Sequence, residues 1–318
     1  MKYLYSLPIC ALLLLSFQGN TQSDDQITST PTTTSNWKLK SIFGANGTQS
    51  SFVNWNAGGR NNISVLGYIN ASANYKKNHF SWDNDLGLAL GGLQYIGANS
   101  GDAGLQKTDD KIDIASKAGY EFKEHWYYSF VGGFKTQILD GFQFPNDSVR
   151  VSTFLAPGYV NIGLGIEYKP SDNFTLFISP LASKMTFVRD ETLANTGSFG
   201  VTGATYDATN GDIITAGKMF RGEFGAYLKS RYTKDIAKNN NMIAKLELFS
   251  NYLDRPENID VNGDLLFTFK VNSWFQASLN WTMIYDHDIN IVDAKGNVGP
   301  RTQFKSVLGV GVSYTMKN

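Results

Sequence analysis

Apolar and polar residues alternate with a period of two along most of this chain, most clearly from Ile63 to Leu93. Ile63, Val65, Gly67, Ile69, Ala71, Ala73 and Tyr75 hold the odd positions; Asn62, Ser64, Tyr68, Asn70, Ser72 and Asn74 hold the even ones, with Leu66 the exception. Lys76-Lys77-Asn78-His79 interrupts the run, and the phase then reverses. Phe80, Trp82, Leu86, Leu88 and Leu90 are even, while Ser81, Asp83, Asp85, Gly87 and Ala89 are odd. Side chains of a strand point alternately to two faces, so the pattern predicts two strands joined by a tight turn. Strands in soluble proteins average about 5–6 residues. These run to roughly 13–15, beyond the ~9–11 that cross a bilayer at a tilt. Tyr75, Phe80 and Trp82 lie near the turn, where an interfacial aromatic girdle would place them.

The rest of the chain repeats the pattern. Trp37 to Ala45 is a weaker first strand, and Lys111 to Phe122 sets Ile112, Ile114, Ala118, Tyr120 and Phe122 against Lys111, Asp113, Lys117 and Glu121. Trp126–Leu139, Tyr159–Lys169, Phe174–Val188, Phe220–Tyr232, Met242–Leu253, Ile259–Val271, Trp274–Asp286 and Phe304–Met316 continue it. Pro180 cannot donate a ladder hydrogen bond, which predicts a bulge or break within Phe174–Val188. Short polar turns alternate with longer loops, Arg189–Lys218 being the longest and Asp254–Glu257 the one short exception. That alternation is the topology of an outer-membrane barrel. The predicted fold is all-β, a single antiparallel transmembrane β-barrel of about twelve strands with short periplasmic turns and long extracellular loops. Strand counts of ten or fourteen stay open. A soluble sandwich would also alternate, with shorter strands around a shared apolar core.

Composition agrees with the pattern. Aromatics make up 14% of the chain, with 31 glycines, 8 prolines and one cysteine. The slightly negative mean hydropathy suits a barrel, because every second residue faces a polar lumen. Charge is balanced, 28 basic against 28 acidic residues, and nothing points to nucleic acid. Met1-Lys2 followed by the apolar run Leu4–Phe17 reads as a secretory signal, so residues 1–22 are expected to be a signal peptide that carries Cys10 away with it. Residues 23–36 form a flexible polar periplasmic lead, and residues 37–318 the barrel. The expected location is the Gram-negative outer membrane, with its lipid and lipopolysaccharide as surroundings and the barrel-assembly machinery as a partner during insertion.

Any chemistry sits on the face opposite the apolar stripe. It collects Asp83, Asp85, Asp113, Glu167, Glu223, Glu247 and Asp264 against Lys111, Lys117, Lys135, Arg221, Lys229, Arg231 and Lys245. Two readings follow. The matched signs can form a self-satisfied ladder that fills the lumen, or the face can line a polar pore with acidic and basic walls. No catalytic residues are expected. His79 and His125 fall at predicted periplasmic turns and His287 at the outer rim, with no nucleophile-and-base pairing. No metal-ligand spacing appears: Asp260–Asp264 reads better as strand than as a calcium loop, and Asp207–Asp212 is a weak one. Neither cofactor nor metal is expected, and the chain does not read as an enzyme.

Ser51-Phe52-Val53-Asn54-Trp55-Asn56-Ala57-Gly58-Gly59-Arg60-Asn61-Asn62-Ile63-Ser64, followed by Trp82-Asp83-Asn84, resembles a Bacteroidota family of outer-membrane proteins known as domain of unknown function 3078. Ile178–Lys184 is similar too, and the resemblance is expected to extend from Trp37 to the end. It implies an exported barrel with no established activity and no catalytic residues to transfer. Trp55 with Gly58 and Gly59 reads as a tight loop using backbone angles open to glycine, either packed as an ordinary loop or folded over the barrel mouth.

Two functions stay in view. One is a porin-like channel or transporter for a small solute, which the continuously polar inner face favours. The other is a non-conducting structural or interaction barrel, an accessory subunit of an outer-membrane complex whose stable partner the sequence does not name.

Overall fold

A computed structural model describes residues 35–50, 61–96, 105–143, 148–292 and 297–317. The expected signal peptide, most of the polar lead, and the Trp55, Gly58 and Gly59 motif lie outside the described residues. Twelve long strands form the wall. They are β1 (Trp37–Ser50), β2 (Asn62–Lys77), β3 (Phe80–Tyr95), β4 (Gln106–Lys123), β5 (Trp126–Thr136) and β6 (Gly158–Ser171). Then follow β7 (Phe174–Phe187), β8 (Phe220–Ala237), β9 (Asn240–Asn251), β10 (Ile259–Lys270), β11 (Phe275–Tyr285) and β12 (Gln303–Lys317). Each pairs antiparallel with its chain neighbours, and β1 closes on β12 through Lys40↔Lys317, Phe43↔Tyr314 and Asn46↔Gly311. Closure leaves no free edge, the condition for strands to cross a bilayer.

The outer face is apolar and open. Leu164, Leu308 and Phe304 expose more than half of their surface although they belong to regular strands. In water this band would be a large aggregation liability; in lipid it is the solvent-facing surface. Trp37, Tyr75, Trp82 and Phe80 contact one another at the turn end, with ring centroids 5.1 to 6.2 Å apart. Phe122–Tyr128 and Trp126–Tyr168 continue this girdle at 4.2 and 4.7 Å. Phe187–Phe220 and Phe224–Tyr252 mark the opposite end. On the outer face, Ser116 accepts from Trp82 Nε1 at 2.9 Å and donates to Asn84 Oδ1 at 2.8 Å.

Some strands outrun the hydrophobic pattern where a partner exists, whereas β5 stops at Thr136 instead of Leu139 and β11 runs Phe275–Tyr285 instead of Trp274–Asp286. β1 reaches Ser50 rather than Ala45 because Asn46–Ser50 ladders with Asn62–Leu66. β4 starts at Gln106, and β8 continues to Ala237, which shrinks the turn expected over Lys234–Asn241 to Lys238-Asn239. The β9–β10 connection, short in sequence, sits at the loop end with the others. Asp260 and Asp264 lie in β10 as strand residues.

The irregularity expected at Pro180 is a bulge. Leu164 pairs with Leu181 but Ile166 with Ile178, so Ser179 and Pro180 together oppose Gly165. Ser179 Oγ lies within hydrogen-bond distance of the carbonyls of Leu164 and Leu181, at 2.8 and 2.9 Å. Gly165 is required here, since a Cβ would fall 2.1 Å from the Ile178 carbonyl oxygen. One extra residue reverses the facing of everything after it. Lys184 is thereby turned into the lumen.

Candidate functional site

The lumen is the candidate site, and its two halves differ. Along β4 to β9 the inward side chains meet each other. Lys117 on β4 pairs with Glu167 on β6 and lies 3.3 Å from Asp83 on β3. Glu167 is 2% exposed and also accepts from Ser129. Lys135 on β5 reaches Glu247 on β9 at 3.6 Å, past β6, β7 and β8, and Lys229 meets the same carboxylate at 3.0 Å. Val131, Phe177, Ala182, Tyr227 and Phe249 form a buried apolar cluster among these ions. Lys111 pairs with Asp113 at 3.2 Å, and Asp264 accepts from Thr282 Oγ1 at 2.7 Å. Buried charges need such partners, because burial alone costs several kcal/mol per ion.

The loop end carries a second network. Lys184 Nζ lies 2.6 Å from Asp260 and 2.9 Å from Asp286, joining β7 to β10 and to the segment after β11. Arg221 binds Glu223 at 2.6 Å, Asp288, and the Gly200 carbonyl at 3.3 Å. Gly200 (φ +81) belongs to the β7–β8 loop, where a Cβ would strike the Arg221 guanidinium. That loop has its own core of Val188, Leu193, Ala194 and Val201, joined by Ala156 from the β5–β6 loop. Asp190 caps its short helix, Glu191–Asn195, by accepting from Leu193 N at 2.9 Å. Two long loops thus form one packed cap, pinned to the wall by Arg221.

The wall from β11 through β12 and β1 to β2 is built differently. Tyr68 lies flat over Gly44, where a Cβ would fall 2.1 Å from its ring, and accepts from Gln276 Nε2 at 2.8 Å. Asn46 covers Gly309 and Gly311 in the same way. Inward glycines let larger neighbours fold along the wall instead of projecting from it. Asn70, on the same face, is exposed within the barrel.

Every charged position singled out in the sequence lies on the inward face, but the structure sorts them. Lys117, Glu167, Lys135, Lys229, Glu247, Arg221 and Glu223 are ion-paired, and Asp83, Lys111 and Asp113 join such pairs. Asp85, Arg231 and Lys245 are exposed to the lumen. Pattern reading missed Lys184, because the bulge changes its parity, and missed Lys40 and Lys317, which sit at strand ends. It also missed Asp286 and Asp288, which lie beyond β11. His79 and His125 occupy turns; His287 is at the rim between Arg255 and Tyr285 at 3.3 and 3.2 Å. Among the described residues no group of His, Cys, Asp or Glu side chains is arranged to hold a metal ion. A groove of about 370 Å³ opens on the outer wall instead, lined by Ile63, Val65, Leu90, Leu105, Leu139 and Phe142.

A family model described as a protein of unknown function (DUF3078) matches residues 48–142. The match spans the early hairpins and does not extend to the chain's end as expected; Ile178–Lys184 lies beyond it. No curated protein matches the chain. Among solved structures, the chain is similar to the translocator domain of autotransporter NalP from Neisseria meningitidis. That likeness has 9% identity and a TM-score of 0.37, covering 89% of this chain and 90% of that one. It is also similar to an outer membrane channel from Pseudomonas putida F1, with 11% identity and a TM-score of 0.38, covering 90% and 96%. The NanC porin gives 8% identity and a TM-score of 0.34, covering 86% and 98%.

Proposed function

We propose that this protein is a narrow outer-membrane channel for a small polar solute, with the path running along the glycine-backed wall of β11, β12, β1 and β2. The observation that carries the reading is the division of the lumen. Ion pairs and aromatic side chains fill the β4–β9 side, while flat-lying Tyr68 and Asn46 keep the opposite wall clear. Twelve strands stand between the filled lumen of about eight and the wide aqueous pore of 16–18, so half a lumen filled by side chains leaves a constriction rather than a general porin. The chain reaches the membrane after signal-directed export, through the assembly machinery, into lipid and lipopolysaccharide. Its Bacteroidota relationship belongs to the same reading, as does the absence of enzymatic activity.

A second reading is a closed accessory barrel. The Lys184 tie across the mouth and the cap pinned by Arg221 favour it. Conductance of the refolded protein in planar bilayers, with size-graded solutes, separates the two. Stable small openings that change when Lys229 or Arg231 is reversed in sign support the channel. Silence from a barrel shown to be folded by heat-modifiable gel mobility supports the closed form.

A further inference from the structure

Beside the ion-paired Lys117, the periplasmic half of the lumen holds cations that have no ion-pair partner among the described residues. Lys40 and Lys317 are direct cross-strand neighbours on β1 and β12, and Arg231 and Lys245 are direct neighbours on β8 and β9. All four face inward and are exposed to lumen water, as is Lys270 at the end of β10. Like charges placed directly opposite on a sheet destabilise it, yet this barrel carries two such pairs. They are also not independent of each other. Lys40 is repelled by Lys317, Lys270 and Arg231, although β9 to β12 separate β8 from β1 in the wall. Lys245 is repelled by Arg231, Lys111 and Lys229, with Asp113 attracting it. The cluster therefore spans the arc of wall that runs from β8 through β10 and β12 to β1.

Neighbouring acids do not cancel the cluster. Asp264 is the register neighbour of Lys245 but accepts from Thr282, and Asp85 shares only the neighbour Ser72 with Lys40. At the loop end, by contrast, Lys184, Arg221, Lys107 and Lys305 each have a carboxylate within ion-pair distance. A narrow, low-dielectric passage focuses the field of unpaired charge onto whatever enters. Guanidinium and ammonium groups together match carboxylate or phosphate oxygens, the first as a fork and the second as point charges.

We infer that Lys40, Arg231, Lys245, Lys270 and Lys317 form an anion-binding arc in the periplasmic half of the lumen, suited to a small solute bearing carboxylate or phosphate. The arc deepens the channel reading and rests on it for permeation, but binding can be tested apart from conduction. Under a potassium chloride gradient the barrel favours chloride, and Lys40→Gln combined with Arg231→Gln removes the preference. Inorganic phosphate raises the temperature at which the folded gel band is lost, and the double variant abolishes that rise. These substitutions relieve repulsion, so the variants fold at least as well as the parent; Lys245→Gln gives an independent check with a partial loss of both effects. Preference for potassium, or selectivity unchanged in the double variant, overturns the site. A silent barrel removes the channel reading alone, and the phosphate shift then decides: no rise, or a rise that persists in the variant, overturns the site.

Discussion

Lys184 Nζ sits 2.9 Å from Asp286 across the mouth of the barrel, tying β7 to the segment beyond β11. The same ammonium holds Asp260 at 2.6 Å and packs 5.7 Å from the centre of the Phe249 ring. One cation thus neutralises acids from separate parts of the wall, and its removal leaves them facing each other.

Lys184→Ala is expected to lower stability by about 3 kcal/mol, the usual scale for breaking a nearly buried ion pair from one side. Urea unfolding in detergent measures it. On the channel reading the same variant conducts more than the parent, because the mouth loses its tie. A variant that is less stable but equally conductive would place the constriction deeper in the lumen.

Gly165→Ala tests the bulge. The added Cβ would fall 2.1 Å from the Ile178 oxygen, on backbone that cannot swing aside. A cost of at least ~1–3 kcal/mol is expected from overpacking, seen as loss of the compact gel band at a lower temperature. Gly132→Ala, with nothing near its Cβ, serves as the neutral control.

Gly44→Ala displaces Tyr68 from the wall. The ring has nowhere to go but the lumen, so single-channel conductance falls while the barrel stays folded. Tyr68→Phe keeps the flat packing and loses only the bond from Gln276, a change of about 1 kcal/mol in stability. Its conductance should match the parent, which separates the position of the ring from the chemistry of its hydroxyl.

Arg221→Ala releases the cap. Without the guanidinium, Gly200 and Asp288 lose their shared anchor, and the 188–219 loop becomes cleavable by added protease at concentrations that leave the parent intact. Protection retained in the variant would mean that the Val188, Leu193, Ala194 and Val201 core holds the loop unaided.

The unequal yield of the sequence has a physical basis. Alternation in β2 and β3 is nearly strict because each strand separates lipid from a polar interior, and those strands were legible nearly to their ends. Boundaries were missed where polar segments ladder for want of any other partner, as in Asn46–Ser50 and Gln106–Asp110. Lys184 was hidden by a single inserted residue at Pro180, since parity counted from Phe174 assigns it to the lipid face. Lys40, Lys317, Asp286 and Asp288 were hidden because strand ends and loops carry no period to count.

What the sequence determined by itself is the barrel: local alternation dictates which face each strand shows to lipid, and turn and loop lengths dictate the up-and-down order. Which charges meet was decided only by closure. Lys135 and Glu247 lie far apart in the chain and on strands that do not pair, and nothing local brings them together. Closing β1 on β12 curves the wall until inward side chains from distant strands reach one another on one side. Opposite them, the glycines under Tyr68 and Asn46 hold those side chains flat against the wall.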